Sequence, residues 1–177
     1  MRLFIAINLS ESLKDEIASI MQNLKSFALQ GNFTRRENLH LTLAFLGEVA
    51  PTRIESIKQA MDKVSGGQFT LSIRELGHFP RSGGDIYWLG VEKNSSLLKL
   101  HTELCRELKA AGFKLEGRGF KPHLTLGRQI VLRTAFDQAE FSSKIPPLFQ
   151  EVDRISLMKS ERPDGILTYT EIYSKYL

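Results

Sequence analysis

Two copies of one tetrad constrain this chain more than anything else in it: His40-Leu41-Thr42-Leu43 and, 83 residues later, His123-Leu124-Thr125-Leu126. They use two of the four histidines. The apolar–polar alternation around each tetrad is that of a β-strand, in which residues i and i+2 share a face. His40 and Thr42 therefore point one way, and Leu39, Leu41, Leu43 and Phe45 the other. His123 and Thr125 likewise oppose Leu124 and Leu126. A strand backed by leucines that shows His and Thr to its other side lines a groove, and this chain has two.

The surroundings repeat in order. Residues 2–9 are an apolar, β-branched and aromatic run, a buried strand by composition. Ser10 caps a helix carrying Leu13, Ile17, Ile20, Met21 and Leu24 at helical spacing. A polar, Gly-containing linker over 30–37 leads to the first tetrad strand, which Gly47 ends. Pro51 opens a second helix with Ile54, Ile57, Met61 and Val64 on one face. A strand through Phe69, Leu71 and Ile73 runs towards Gly77-His78-Phe79-Pro80, and Arg81-Ser82-Gly83-Gly84 turns the chain. Then come a strand at 86–91, a helix carrying Leu97, Leu100, Leu104 and Leu108 that stops at Gly112, and the second tetrad strand. A short helix near 133–140, a strand within 148–159 and a hairpin strand at 166–176 complete the chain. His40 follows Arg2 at the same distance as His123 follows Asp85. Each half thus reads strand, helix, tetrad strand, helix, strand, as expected of one bilobal domain, 1–177, with pseudo-twofold halves of about 1–82 and 83–177.

Composition narrows the class. A 177-residue chain that is 42% apolar and 25% charged can bury a real core. No stretch reaches the ~18 apolar residues of a membrane span, and the N-terminal run is too short for a signal peptide. The single Cys105 forms no internal disulfide, which suits the cytoplasm. A net charge of +4 favours an anionic partner without supplying a polybasic tail.

Two facing imidazoles suit phosphodiester hydrolysis. The reaction needs a base to take a proton from water and an acid to give one to the departing oxygen, on opposite sides of phosphorus. Histidine, titrating near 6.5, supplies both roles near neutrality. Thr42 and Thr125 can donate to the non-bridging oxygens, and Arg118, Lys121 and Arg128 add positive charge. Strict alternation sends Arg128 to the leucine face; a bulge at Gly127 returns it to the groove as a phosphate ligand. The aromatics Phe45, Phe79, Phe120 and Trp88 are base-stacking candidates whose simpler reading is core, and Phe45 has the leucine-facing parity of its strand.

These residues resemble the two signature motifs of the two-histidine (2H) phosphoesterases, and more narrowly the RNA 2′,3′-cyclic phosphodiesterase, or 2′-5′ RNA ligase, family. Arg2-Leu3-Phe4-Ile5-Ala6-Ile7, the run Glu37–Glu48, Gly77-His78-Phe79-Pro80, Trp88-Leu89-Gly90-Val91 and Phe120–Arg128 carry the likeness over nearly the whole chain. Phe33 and Arg36 stand where the family often has Trp and Pro. The resemblance implies a duplicated bilobal α+β fold, two antiparallel sheets facing across a central groove with helices outside. It implies metal-independent opening of RNA 2′,3′-cyclic phosphates to 2′-phosphates, with no cofactor, on RNA or oligonucleotide ends; a monomer is the default expectation. It makes His40 the proton donor and His123 the acceptor; the chemistry of the groove puts Thr42, Thr125 and Arg128 on the phosphate and leaves Phe45, Arg118 and Lys121 as candidate substrate contacts. Reverse ligation is the same chemistry run backwards, though water favours hydrolysis.

Simpler readings stand beside these. His78 and His101 are structural by context, Cys105 is a packing residue, and Arg35-Arg36 is a solvated loop with RNA steering as the alternative. A zinc site would want a third ligand that the tetrads do not supply at short spacing. The rival function is a nucleotide-binding module that uses the groove without turnover.

Overall fold

In the computed structural model, which describes residues 1–117 and 119–177, the first apolar run forms β1 (Arg2–Asn8). Its two faces go to different places. Leu3, Ile5 and Ile7 enter the main core, at most 1% exposed, whereas Phe4 and Ala6 pack on the opposite face against Met158 and Tyr169. Helix α1 (Glu11–Lys25) begins where the Ser10 hydroxyl accepts from the Leu13 N–H. Its face of Leu13, Ile17, Ile20, Met21 and Leu24 is buried, as the spacing predicts. Fully covering side chains of this size contributes about 1.5–3 kcal/mol each.

Strand β2 (Ala28–Phe33) follows, then β3 (His40–Glu48), α2 (Ile54–Asp62) and β4 (Phe69–Phe79). The second half holds β5 (Asp85–Val91), α3 (Ser95–Ala110), β6 (His123–Leu132), α4 (Gln138–Ser143), β7 (Leu148–Val152), β8 (Arg154–Glu161) and β9 (Thr168–Tyr176). Two antiparallel sheets result, ordered β3-β1-β8-β9 and β2-β6-β5-β4-β7. This is the α+β architecture expected. Both contain the same three-strand core, β3-β1-β8 in one and β6-β5-β4 in the other, with a tetrad strand at one side of each. Each sheet draws strands from both halves of the sequence: β4 joins β5, and β8 crosses back to β1.

Three readings of the pattern are corrected. The segment 30–37, taken as a linker, begins within β2, which pairs with β6. The strand expected within 148–159 is two strands in different sheets, separated by Asp153 alone. The second helix ends at Asp62, and Val64 is buried beyond it. Arg36 is not merely solvated: it ion-pairs with Glu11 at 2.7 Å and Asp15 at 2.6 Å, tying the approach to β3 onto the first turns of α1. No helix among the described residues is long and apolar enough to cross a membrane.

Candidate active site

The first tetrad behaves as its alternation predicts until a bulge intervenes. On β3, Leu41 and Leu43 are buried in the core, while His40 and Thr42 lie half-buried on the other face. Asn8 pairs with His40 and Ala6 with Thr42, but Ile5 pairs with Ala44, so Leu43 has no opposite partner. The extra residue buries Leu43 and Ala44 together and reverses the parity beyond them. Phe45 therefore joins Phe4 on the groove face, 6.2 Å away between ring centroids and 52% exposed. This corrects the leucine-facing parity read from the sequence and leaves Phe45 available to substrate.

The second tetrad does the same. Gly90 pairs with His123 and Trp88 with Thr125, then Tyr87 pairs with Gly127, leaving Leu126 without an opposite. Leu126 and Gly127 are both buried, and Arg128 emerges exposed on the groove side. Its charge bears on both imidazoles and on the Tyr169 phenol. Phe45 and Arg128 are thus equivalent positions, each re-aimed by a bulge one residue earlier.

Both imidazoles are anchored alike. His40 Nδ1 lies 2.7 Å from the Asn38 carbonyl and His123 Nδ1 2.6 Å from the Lys121 carbonyl, each two residues upstream. A carbonyl only accepts, so Nδ1 carries hydrogen in both rings and Nε2 is the nitrogen left for chemistry. His40 Nε2 meets Thr42 Oγ1 at 2.9 Å. The Asn38 anchor is itself buried and held by a hydrogen bond from its Nδ2 to the Leu167 carbonyl, 2.9 Å. Phe4 and Tyr169 wall His40 at 4.9 and 5.2 Å between centroids. Phe79 and Trp88 do this for His123 at 5.2 and 5.9 Å. The Lys121 ammonium rests over Trp88 and Phe79, 4.7 and 5.1 Å from their centroids.

Burial pushes both histidines below the ordinary value. For His40 the nearby His123 and Arg128 push the same way; for His123, Arg128 and Lys121 do. The anchoring carbonyls oppose this, since they favour the charged ring. The close approach of β3 to β6 brings the two motifs to one groove, near enough for the charge of His123 to bear on His40.

The remaining candidates fall as follows. Arg118 lies outside the described residues. His101 is on α3, stacked on Phe120 at 3.7 Å with its Nε2 3.4 Å from Cys105 Sγ, so these three belong to the helical layer. His78 stacks on Tyr87 and bonds Gln138 of α4, also away from the groove. A cleft of about 550 Å3 between α1 and α4, lined by Phe27, Phe136 and Phe141, contains none of the tetrad residues. No cluster of three His, Cys, Asp or Glu side chains suited to a metal occurs among the described residues. Sequence reasoning missed the parts played by Tyr169, which lies in no motif, and by Asn38, which lies in the run Glu37–Glu48 without an assigned role; both matter through what the fold brings beside His40.

Two antiparallel sheets that present paired His and Thr side chains to one groove define the α+β class of the 2H phosphoesterases. A family model of the 2′-5′ RNA ligase superfamily matches residues 9–164, and the chain belongs to that family. It is 34% identical over 163 residues to an RNA 2′,3′-cyclic phosphodiesterase of Thermotoga maritima, covering 90% of this chain and 87% of that protein. A protein of the same name from Methanothermobacter thermautotrophicus is 34% identical over 177 residues, covering 97% and 96%. The crystal structure of Escherichia coli LigT complexed with 3′-AMP superimposes with a TM-score of 0.81 at 28% identity, covering 99% of this chain and 97% of that one.

Proposed function

We propose that this protein hydrolyses RNA 2′,3′-cyclic phosphodiester ends to 2′-phosphomonoesters by general acid–base catalysis between His123 and His40. The observation that carries the reading is the matched anchoring of the two rings. Each has its Nδ1 committed to a carbonyl, its Nε2 left for proton transfer, and a threonine hydroxyl two residues along the same strand. The curated relatives named as RNA 2′,3′-cyclic phosphodiesterases support the substrate class.

In this reading His123 Nε2 takes a proton from water as the water oxygen attacks phosphorus. The bond from phosphorus to the 3′ oxygen breaks, and His40 Nε2–H gives that oxygen its proton. One water is consumed, and the product carries a 2′-phosphate and a free 3′ hydroxyl. Thr42, Thr125 and Arg128 meet the charge that grows on the non-bridging oxygens. Phe45 stacks on the terminal base, and Lys121 adds positive charge beside His123. His40 has to be protonated for its step, and the anionic substrate supplies the missing stabilisation by favouring imidazolium. No step calls for a Lewis acid. The same groups in reverse join a 2′-phosphate end to a hydroxyl, with hydrolysis dominant in water. We also read the chain as one domain, residues 1–177, whose halves of about 1–82 and 83–177 are related by duplication; the matching strand orders β3-β1-β8 and β6-β5-β4 support this.

The test is incubation of an oligonucleotide ending in a 2′,3′-cyclic phosphate with excess EDTA present. A 2′-phosphate product supports the whole reading. A 3′-phosphate overturns the substrate orientation, activity lost on chelation and restored by one metal overturns the metal-free mechanism, and binding without turnover returns the protein to a nucleotide-binding module.

A further inference from the structure

Beyond the reacting groups, the groove face of the first sheet carries cations that the chemistry does not use. On β1, Phe4 and Ala6 face the groove, so Arg2 faces it too. Arg2 pairs with Ser160 of β8, and Ser160 pairs with Tyr169 of β9, which puts the three on one row of the sheet. Cross-strand partners share a face. Arg162 lies two residues beyond Ser160, at the turn that leads into β9. Tyr169 closes the gap to the reaction centre, its ring edge-on to both His40 and Phe4 at 5.2 and 4.9 Å.

The arginines of this row form no ion pair among the described residues, although Glu48 of β3 stands opposite Arg2 on it. Arg2 and Arg162 are exposed, and among the described residues neither has a carboxylate within ion-pairing distance. The neighbouring acids are engaged elsewhere: Glu48 with the N-terminal ammonium at 3.4 Å, Glu161 with Lys159 at 2.6 Å. Glu171 accepts from Asn8 Nδ2 at 3.0 Å and from the Ser156 hydroxyl at 2.5 Å. Burial raises the Tyr169 phenol, and the charges of Arg128, Arg2 and Arg162 push it back down. A phenol on one sheet row with Arg2, with Arg162 at the adjoining turn and neither arginine in an ion pair among the described residues, has the chemistry of a phosphodiester site.

We propose that Arg2, Arg162 and the Tyr169 hydroxyl form a subsite for an internucleotide phosphate upstream of the cyclic end, by which the protein prefers an RNA chain to a single nucleotide. This rests on the proposed hydrolysis for the identity of the reacting end, but its core claim concerns binding. Arg2 and Arg162 touch no reacting atom; they hold the chain so that its last phosphate meets the histidines.

The test compares the wild-type protein with the variant R2Q/R162Q on two substrates, a nucleoside 2′,3′-cyclic phosphate and an oligonucleotide with the same end. For the oligonucleotide, kcat/KM falls about three- to tenfold, mostly through KM, as expected for losing exposed charge contacts. The salt dependence of its log–log slope weakens by about 0.7 for each phosphate released. For the single nucleotide both constants stay within twofold. An equal loss on both substrates, or no loss on the oligonucleotide, overturns the subsite. Direct binding of an oligonucleotide that already ends in a 2′-phosphate separates this from the hydrolysis reading, because it needs no turnover. If that binding is unweakened in R2Q/R162Q the subsite is wrong, even with hydrolysis established. If it weakens while neither substrate is turned over, the subsite stands and the hydrolysis reading fails.

Discussion

Strands β3 and β6 carry the same tetrad, yet their surroundings give it different work. β3 lies at the edge of its sheet, whereas β6 is flanked by β2 as well as β5. His40 has its Nδ1 on the Asn38 carbonyl and its Nε2 turned to the hydroxyl of its own tetrad's Thr42, and is walled by Phe4 and Tyr169. His123 has only its Nδ1 engaged among the described residues. Beyond each bulge the first strand offers an aromatic ring, Phe45, and the second a guanidinium, Arg128. The repeated tetrad is thus set asymmetrically: one strand carries an exposed aromatic ring, and the other an exposed guanidinium and an imidazole Nε2 with no partner among the described residues. What differs is the neighbours.

The comparison is broken most severely by removing either ring. His40→Ala and His123→Ala should each lower kcat by ~10²–10⁴-fold, with the double variant little worse than either single one, because the pair acts as a unit. Steady-state kinetics on a cyclic-phosphate oligonucleotide measures this, and near-normal turnover by a folded single variant would sink the pair. Next, Arg128→Ala should cost about 10²-fold in kcat, the scale for losing a donor to developing oxyanion charge.

Gly127→Ala tests the structural asymmetry. A Cβ there would lie 2.7 Å from Ile130 Cδ1, 2.9 Å from the Asn32 carbonyl oxygen and 3.1 Å from Phe33 Cα, because β2 pairs alongside β6. At the matching position of the edge strand the chain already holds Ala44. Overpacking against backbone should cost about 1–3 kcal/mol in denaturant unfolding and displace Arg128, while Ala44→Gly costs only about 0.5–1 kcal/mol. Equal small effects would mean the flanking strand does not matter. The smallest expected change is Phe45→Ala, about tenfold in KM, the scale of one lost base stack, with kcat largely kept. A fall in kcat instead would give Phe45 a role in the chemistry.

Much of this was legible in the sequence because burial leaves a period. The faces of α1 and α3, the alternation of the tetrad strands and the pairing of the two histidines all follow from where the leucines recur. What was hidden breaks that period or never had it. Strand β2 shows no alternation because Gln30 through Asn32 are exposed. A bulge carries no residue signature at Leu43-Ala44, so Phe45 was assigned the wrong face. At Gly127 the glycine did hint at the bulge that frees Arg128. The division at Asp153 lacks the Gly or Pro that marks turns, and Tyr169 sits in a hairpin strand whose pattern says nothing of His40.

The pH dependence of kcat/KM, under conditions where chemistry limits, tests the opposed roles of the two strands most directly. This constant reports the free protein, in which burial lowers both histidines. The wild-type profile should therefore be a bell centred on the acid side of the ordinary histidine value of about 6.5. Activity falls at low pH as the base gains a proton and at high pH as the acid loses one. The alkaline limb of kcat should lie higher, since bound phosphate favours the charged His40. In the residual activity of His123→Ala the acid limb should vanish, and in that of His40→Ala the alkaline limb. The opposite assignment of limbs would exchange the two roles, and a flat wild-type profile, or a full bell in either variant, would contradict an acid–base pair built from these two histidines.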